Sequence, residues 1–216
     1  MKRVSYTAIG DSLTAGYGAP SGRGFVPIVA SMVGHRIKQT VTIYDYGVNG
    51  ATSSDMLHGL RTNSLLRAHI GESQLLTITS GGNDLIEAAK SYIWNESRWP
   101  LNRALVTIKH NIAQMLQIIQ SIKGKDSYQL ILLELYDLAP DMAEVGRYIQ
   151  AYNAILHGFS SRHIRIAPIY RAFQHRERYL LSGDGVHPNE AGYRVMADAV
   201  YETIQFPIVR THRTRK

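Results

Sequence analysis

Val4-Ser5-Tyr6-Thr7-Ala8-Ile9-Gly10-Asp11-Ser12-Leu13-Thr14-Ala15-Gly16-Tyr17-Gly18 is the stretch on which the reading of the fold turns. Val4, Tyr6 and Thr7 carry side chains suited to a pleated strand, and Gly10-Asp11-Ser12 breaks that run where a turn has to form. A serine at such a point stands at the carboxyl end of a strand, the edge at which open α/β sheets place their ligands.

Working outward, Gly16 to Gly24 reads as loop and Phe25 to Val33 as a short helix, with Gly34 as its stop. Val41 to Tyr46 is a second strand, and Thr52 or Ser53 can cap the helix after it, with Asp55 in its first turn. Leu75 to Thr79 and Leu130 to Leu133 are so continuously apolar that both of their faces should be covered, as in a parallel sheet between helices. Leu85 to Tyr92 looks helical. Leu101 to Lys123 repeats Leu105, Ile108, Ile112, Met115, Ile119 and Ile122 at helical spacing, with Gly124 as its stop. A helix over Ala143 to Phe159, a strand over Ile164 to Ala167 and a helix from about Asn189 to Ile204 complete the pattern. Strands alternate with helices throughout, which predicts right-handed crossovers and a three-layer α/β/α sandwich on a mainly parallel sheet.

At 216 residues the chain is expected to form a single domain over residues 1–209, followed by a basic tail over 210–216. The net charge of +7 would suit a nucleic-acid partner, but Arg210, Arg213, Arg215 and Lys216 crowd the last seven residues; without them 20 basic residues stand against 17 acidic. A solvated tail accounts for the excess, and no nucleic acid is expected. No apolar run approaches the roughly 18 residues of a membrane span, and the first strand leaves no room for a secretory leader. A soluble, cytoplasmic protein is expected. The absence of cysteine excludes disulfides and thiolate chemistry.

Three strand ends carry a glycine turn with a group suited to acyl transfer: the Ser12 hydroxyl, the unshielded Gly50 N–H and the Asn83 amide. Asp184-Gly185-Val186-His187 lies before the last helix, with carboxylate and imidazole three residues apart. A serine hydroxyl is a weak nucleophile and needs an imidazole to take its proton. A carboxylate on the other ring nitrogen fixes the tautomer and stabilises the imidazolium, while backbone and amide N–H groups can hold a tetrahedral oxyanion. Each residue also has a structural reading. Ser12 or Asn83 could cap a helix, and Asp184-Gly185 could be an ordinary turn. Their concurrence at strand ends favours the chemical one.

These blocks resemble those of the SGNH hydrolase superfamily, also called the GDSL esterase and lipase family. Gly10-Asp11-Ser12-Leu13 is similar to its first block, Gly50 falls where the second has its glycine, Gly81-Gly82-Asn83-Asp84 is similar to the third, and Asp184-Gly185-Val186-His187 to the last. The resemblance implies a flavodoxin-like sheet of five parallel strands in the order 2-1-3-4-5. It also implies Ser12 as nucleophile, His187 as base, Asp184 as its orienting carboxylate, and the Ser12 N–H, Gly50 N–H and Asn83 amide as the oxyanion hole. Asp11 and Leu13 of the first block are candidate substrate contacts. The activity implied is that of a serine esterase or lipase acting on a small-molecule ester without a cofactor. Carbohydrate acetylesterases, thioesterases and lysophospholipases of the same superfamily are the alternatives, and small bacterial members linked to spore germination are the nearest in character.

The rivals fit less well. No Gly-x-Ser-x-Gly elbow, Gly-x-Gly-x-x-Gly fingerprint or clustered metal-ligand pattern occurs, so no metal is expected. A catalytically silent binding module on the same fold remains the reading from another class. Trp94 and Trp99 follow Asn83 closely, and an apolar wall for a short or medium acyl group is one expectation for them, core packing the other. Oligomeric state is left open.

Overall fold

The computed structural model describes residues 4–137 and 142–208; the basic tail of Arg210 to Lys216 lies outside the described residues. In chain order the elements are β1 (Val4–Gly10), α1 (Ser12–Ala15), α2 (Phe25–Ile37), β2 (Val41–Gly47), α3 (Ser53–Thr62), α4 (Ser64–Glu72), β3 (Leu75–Ile78), α5 (Gly82–Asn95), α6 (Trp99–Lys123), β4 (Gln129–Leu133), α7 (Ala143–His157), β5 (Ile164–Ala167), α8 (Ile169–Phe173), α9 (Glu177–Leu180) and α10 (Glu190–Thr203). All strand pairings are parallel, in the order β2-β1-β3-β4-β5.

Topology follows from the handedness of the crossovers. The step from β1 to β2 runs one way along the sheet, and the steps to β3, β4 and β5 run the other way. Right-handed connections therefore put α2 on one face and α3 to α7 on the opposite face. The contacts agree, since α2 packs with α10 and α10 with α8, while α6 packs with α3, α4, α5 and α7. Buried between these layers, β1 and β3 have no exposed residue, whereas the edge strand β2 alternates between covered and open positions. Two polar pairs cross the centre of the sheet, Tyr6 Oη to Thr77 Oγ1 at 2.8 Å and Thr7 Oγ1 to Ser73 Oγ at 2.7 Å, so the hydroxyls buried there are satisfied.

Several boundaries differ from the sequence reading for local reasons. The α2 helix runs past Gly34 to Ile37 and is closed by Lys38 in a left-handed conformation. Gly34 is instead a point of close approach, where a Cβ would meet the Gln39 carbonyl oxygen at 2.9 Å. The break after β1 holds a short helix, α1, whose N-cap is Asp11, so Ser12 is not the cap. Thr52 caps α3 in a capping box with Asp55. Lys123, buried at the end of α6, donates to the carbonyls of Ile70, Gly71 and Ser73 and so ties α6 to the chain just before β3.

Gly47, at the carboxyl end of β2, sets where α1 lies. A Cβ there would stand 2.2 Å from the Ala15 nitrogen and 2.8 Å from the Thr14 carbonyl carbon, both backbone atoms of α1 that no rotamer change can move aside. Gly47→Ala is expected to cost about 1–3 kcal/mol, read as a lower urea midpoint with an unchanged m value. A wild-type midpoint would show that α1 is not held against β2.

Candidate active site

The strand order makes β1 a central strand whose chain leaves toward β2 while its other neighbour is β3, so Ser12 sits where connections diverge, the place at which such sheets form crevices. Asp11 holds this turn. It is 1% exposed; its Oδ1 accepts from the Leu13 N–H at 3.0 Å and from the Thr79 hydroxyl at 2.8 Å, joining α1 to the end of β3. Burial raises the Asp11 carboxyl above its ordinary range, against the Thr79 and Leu13 hydrogen bonds and the attraction of His187. Leu13 is buried in the core beside it. Both first-block neighbours of Ser12 thus support the turn from below.

Four chain segments meet at this edge. His187 Nε2 lies 2.9 Å from Ser12 Oγ, and His187 Nδ1 lies 2.6 Å from Asp184 Oδ2. An ionised carboxylate can only accept, so Nδ1 carries the proton and Nε2 is left to accept from the serine hydroxyl. Asp184 stays ionised well below the usual carboxylate range. Desolvation works against this, but the His187 N–H and ring, the Val186 N–H and the Ser182 hydroxyl outweigh it. The loop that carries the pair is closed by a bridge between Leu181 and Pro188 and by the Ser182 N–H donating to the His187 carbonyl at 2.7 Å. Tyr17 presents its ring edge-on to the imidazole, with centroids 4.6 Å apart.

The remaining donors stand at the ends of β2 and β3. Asn83 Nδ2 donates to the Ala51 carbonyl at 2.9 Å, which orients the amide and leaves its second N–H unused by that bond. Gly50 is solvent-exposed, and its N–H has no acceptor among the described residues. The Ser12 N–H belongs to the first turn of a helix, where no intrahelical acceptor exists. Asp84 holds these pieces in register: its two oxygens accept from the Ser53 N–H at 2.8 Å and the Ser53 hydroxyl at 2.7 Å, and Asn111 of α6 donates to Ser53 Oγ and Ser54 Oγ. Consecutive residues of α5, Asn83 and Asp84, therefore grip the segment that contains Gly50.

Three buried tyrosines pin the surrounding loops from beneath. Tyr152 donates to the Ser80 carbonyl at 2.5 Å, Tyr136 to the Val186 carbonyl at 2.5 Å and Tyr193 to the Tyr17 carbonyl at 2.7 Å. Burial pushes all three phenols above the usual tyrosine range and keeps them neutral donors. None of these contacts is announced by a motif. Ser182, two residues before Asp184, was the one legible signal, since a serine at that spacing commonly closes a turn through its hydroxyl.

Trp94 and Trp99 lie elsewhere. Trp94 stands eleven positions along α5 from Asn83, roughly 16 Å at helical rise, and Trp99 twelve positions along α6 from Asn111, which is bonded to Ser53, roughly 18 Å, so neither tryptophan flanks the Asn83 amide. They are not core either, because both are largely exposed. Among the described residues no group of three or more His, Asp or Glu is arranged to hold a metal, and no helix is long and apolar enough to cross a membrane.

Residues 8–195 match the GDSL-like lipase/acylhydrolase family. The spore germination lipase LipC of Bacillus licheniformis is 30% identical over 199 residues, an overlap of 90% of this chain and 93% of that protein. The crystal structure of the lipase Lip_vut3 from a goat rumen metagenome superposes with a TM-score of 0.91 at 29% identity, covering 95% of this chain and all of that one. Axe2, an acetylxylan esterase from Geobacillus stearothermophilus, shares the fold at 18% identity, with a TM-score of 0.66 and 97% of each chain covered.

The depressed Asp184 carboxyl has a consequence for folding. Between its folded value and the unfolded value of about 4, the unfolded chain binds a proton that the native chain does not, so stability rises with pH there. This contribution is complete above pH about 4 and is lost as the pH falls toward the folded value. Asp184→Asn is expected to flatten the acid limb of a plot of thermal midpoint against pH while leaving the neutral region nearly parallel to wild type. An acid limb of unchanged slope would remove Asp184 as its source.

Proposed function

The chain belongs to the GDSL-like lipase/acylhydrolase family and is a carboxylic ester hydrolase, and from that premise we propose that it works through an acyl-enzyme on Ser12. The observation that carries this reading is the relay of 2.9 Å from Ser12 Oγ to His187 Nε2 and 2.6 Å from His187 Nδ1 to Asp184 Oδ2. As Ser12 Oγ attacks the ester carbonyl carbon, its proton passes to Nε2, and the Asp184 carboxylate stabilises the imidazolium. The oxyanion is received by the Ser12 N–H, the Gly50 N–H and the free N–H of the Asn83 amide. Collapse breaks the bond to the alcohol, which leaves with the proton from His187. Water then gives a proton to His187, attacks the acyl carbon and releases the carboxylic acid, returning the proton to Ser12.

Tyr17 and Val48 are exposed beside His187 and Gly50 and offer apolar surface to a substrate. A chain-length series of p-nitrophenyl esters, with acetylated sugars and acyl-thioesters beside it, identifies the acyl and leaving groups. The spore role named for the Bacillus licheniformis protein adds germination-linked lipids to that screen.

A fluorophosphonate probe should label wild-type protein at Ser12 and leave Ser12→Ala unlabelled. Ser12→Ala and His187→Ala should each lower kcat by about 10⁴-fold or more, because nucleophile and base act as a unit, and Asp184→Asn should cost less than either. Folded wild-type protein that resists labelling would favour a silent binding module.

Asp84→Asn tests the grip on the oxyanion segment. An amide has one acceptor oxygen where the carboxylate has two, so the Ser53 N–H or hydroxyl loses its partner. A drop of about 10- to 100-fold in kcat, with KM nearly unchanged, is expected from a small displacement of the donors. A rise in KM with kcat retained would place Asp84 in substrate binding instead.

A further inference from the structure

Helices α5 and α6 form an antiparallel hairpin whose direction can be read from its hydrogen bonds. Lys123, at the end of α6, is fastened to Ile70, Gly71 and Ser73 just before β3, and so lies at the amino edge of the sheet. Asn111 is fastened to Ser53, which also holds Asp84 at the site, so Asn111 and Asp84 share one level at the carboxyl edge. Beyond that level α6 still has its first twelve residues and α5 its last eleven. At helical rise, the hairpin tip stands roughly 15–18 Å past the site on the side where the triad opens.

That tip is clad in large apolar side chains. Trp94 is 90% exposed, Trp99 64%, Ile93 62%, and Val106 70% on the same stripe of α6 as Trp99. Arg103 lies between them in sequence with its guanidinium 5.1 Å over the Trp99 ring. Exposed Lys90, Arg98 and Lys109 surround the tip, against Glu87 and Glu96. The arm is braced to α7, with Arg98 Nε 2.8 Å from Glu144 Oε1 and the Tyr148 hydroxyl donating to Asn102.

We propose that this hairpin tip docks the protein onto a lipid bilayer carrying anionic phosphate headgroups. Indole rings settle at the boundary between headgroup and acyl chain, where one part of the ring is apolar and the N–H is hydrated. An arginine stacked on such a ring can engage a phosphate with its guanidinium fork. Ile93 and Val106 are aliphatic, which suits an acyl layer and not the stacking of bases. Lys90, Arg98, Arg103 and Lys109 outnumber Glu87, Glu96 and Glu144 along the hairpin and its brace, and this small basic excess complements an anionic surface. Because tip and site are on the same side, a surface that meets the tip also faces Ser12.

Trp94 and Trp99 are the only two tryptophans in the chain, so its indole fluorescence reports on this hairpin alone. The experiment titrates Ser12→Ala protein, which keeps vesicle lipids intact, with vesicles of phosphatidylcholine with or without phosphatidylglycerol, following emission and cosedimentation. A blue shift with the anionic vesicles that weakens in high salt is expected, and Trp94→Ala/Trp99→Ala should lower partitioning about tenfold or more while the otherwise wild-type double variant keeps its turnover of soluble p-nitrophenyl butyrate. Arg103→Glu carries the same expectation if the double variant fails to fold. Absence of a shift and of cosedimentation would overturn the proposal, as would binding that survives both variants. A shift that appears without vesicles as protein concentration rises would also overturn it by assigning the tip to a second copy of the chain. Vesicle binding does not use Ser12, so its failure is separate from a failure of the ester chemistry.

Discussion

The hydrogen bond of 2.9 Å between His187 Nε2 and Ser12 Oγ joins positions 175 residues apart, and most of the architecture serves to hold its two ends. A bond between partners that distant in sequence forms only if the sheet, two helical layers and several loops all settle in register. At the serine end the constraint is met by Asp11, Thr79 and the close approach of Gly47 to α1. At the histidine end it is met by the bridge between Leu181 and Pro188 and by three donors on Asp184 Oδ1.

Electrostatics separate the two aspartates next to this bond. Asp184 is partly open to solvent and surrounded by donors, so its negative charge persists and can stabilise an imidazolium. Asp11 is enclosed, and desolvation raises it despite its hydrogen bonds. Although the two lie close to the same imidazole, only Asp184 contacts Nδ1. Asp11 acts on the backbone, as the cap that sets the direction of α1.

In the proposed mechanism the oxyanion donors divide into groups that touch the reaction and groups that aim them. Asn83 spends one amide N–H on Ala51 and keeps the other. Asp84 joins α3, α5 and α6 through Ser53 and Asn111. The tyrosines at 136, 152 and 193 do the same for three further loops. Buried phenols are neutral and directional, so each can satisfy a backbone carbonyl without introducing a charge.

The sequence by itself determined the layer architecture and the identity of the converging segments. Apolar runs such as Leu130 to Leu133 and the periodicity of α6 are local consequences of burial, glycine turns with Ser12 and Asn83 follow strand ends wherever those strands lie, and Asp184 and His187 mark the turn before the last helix. Gly34 misled as a helix stop because glycine signals either a chain reversal or a close contact, and only the neighbouring Gln39 carbonyl distinguishes them. That Asp11 caps α1 and that Leu13 packs into the core, both beside the serine, became visible only in the tertiary structure. The grip of Asp84 on Ser53, the tyrosine contacts and the placement of Trp94 and Trp99 at a projecting tip are likewise matters of tertiary structure. Each depends on which elements pack side by side, and a one-dimensional pattern records a residue's own preference but not the neighbour that satisfies it.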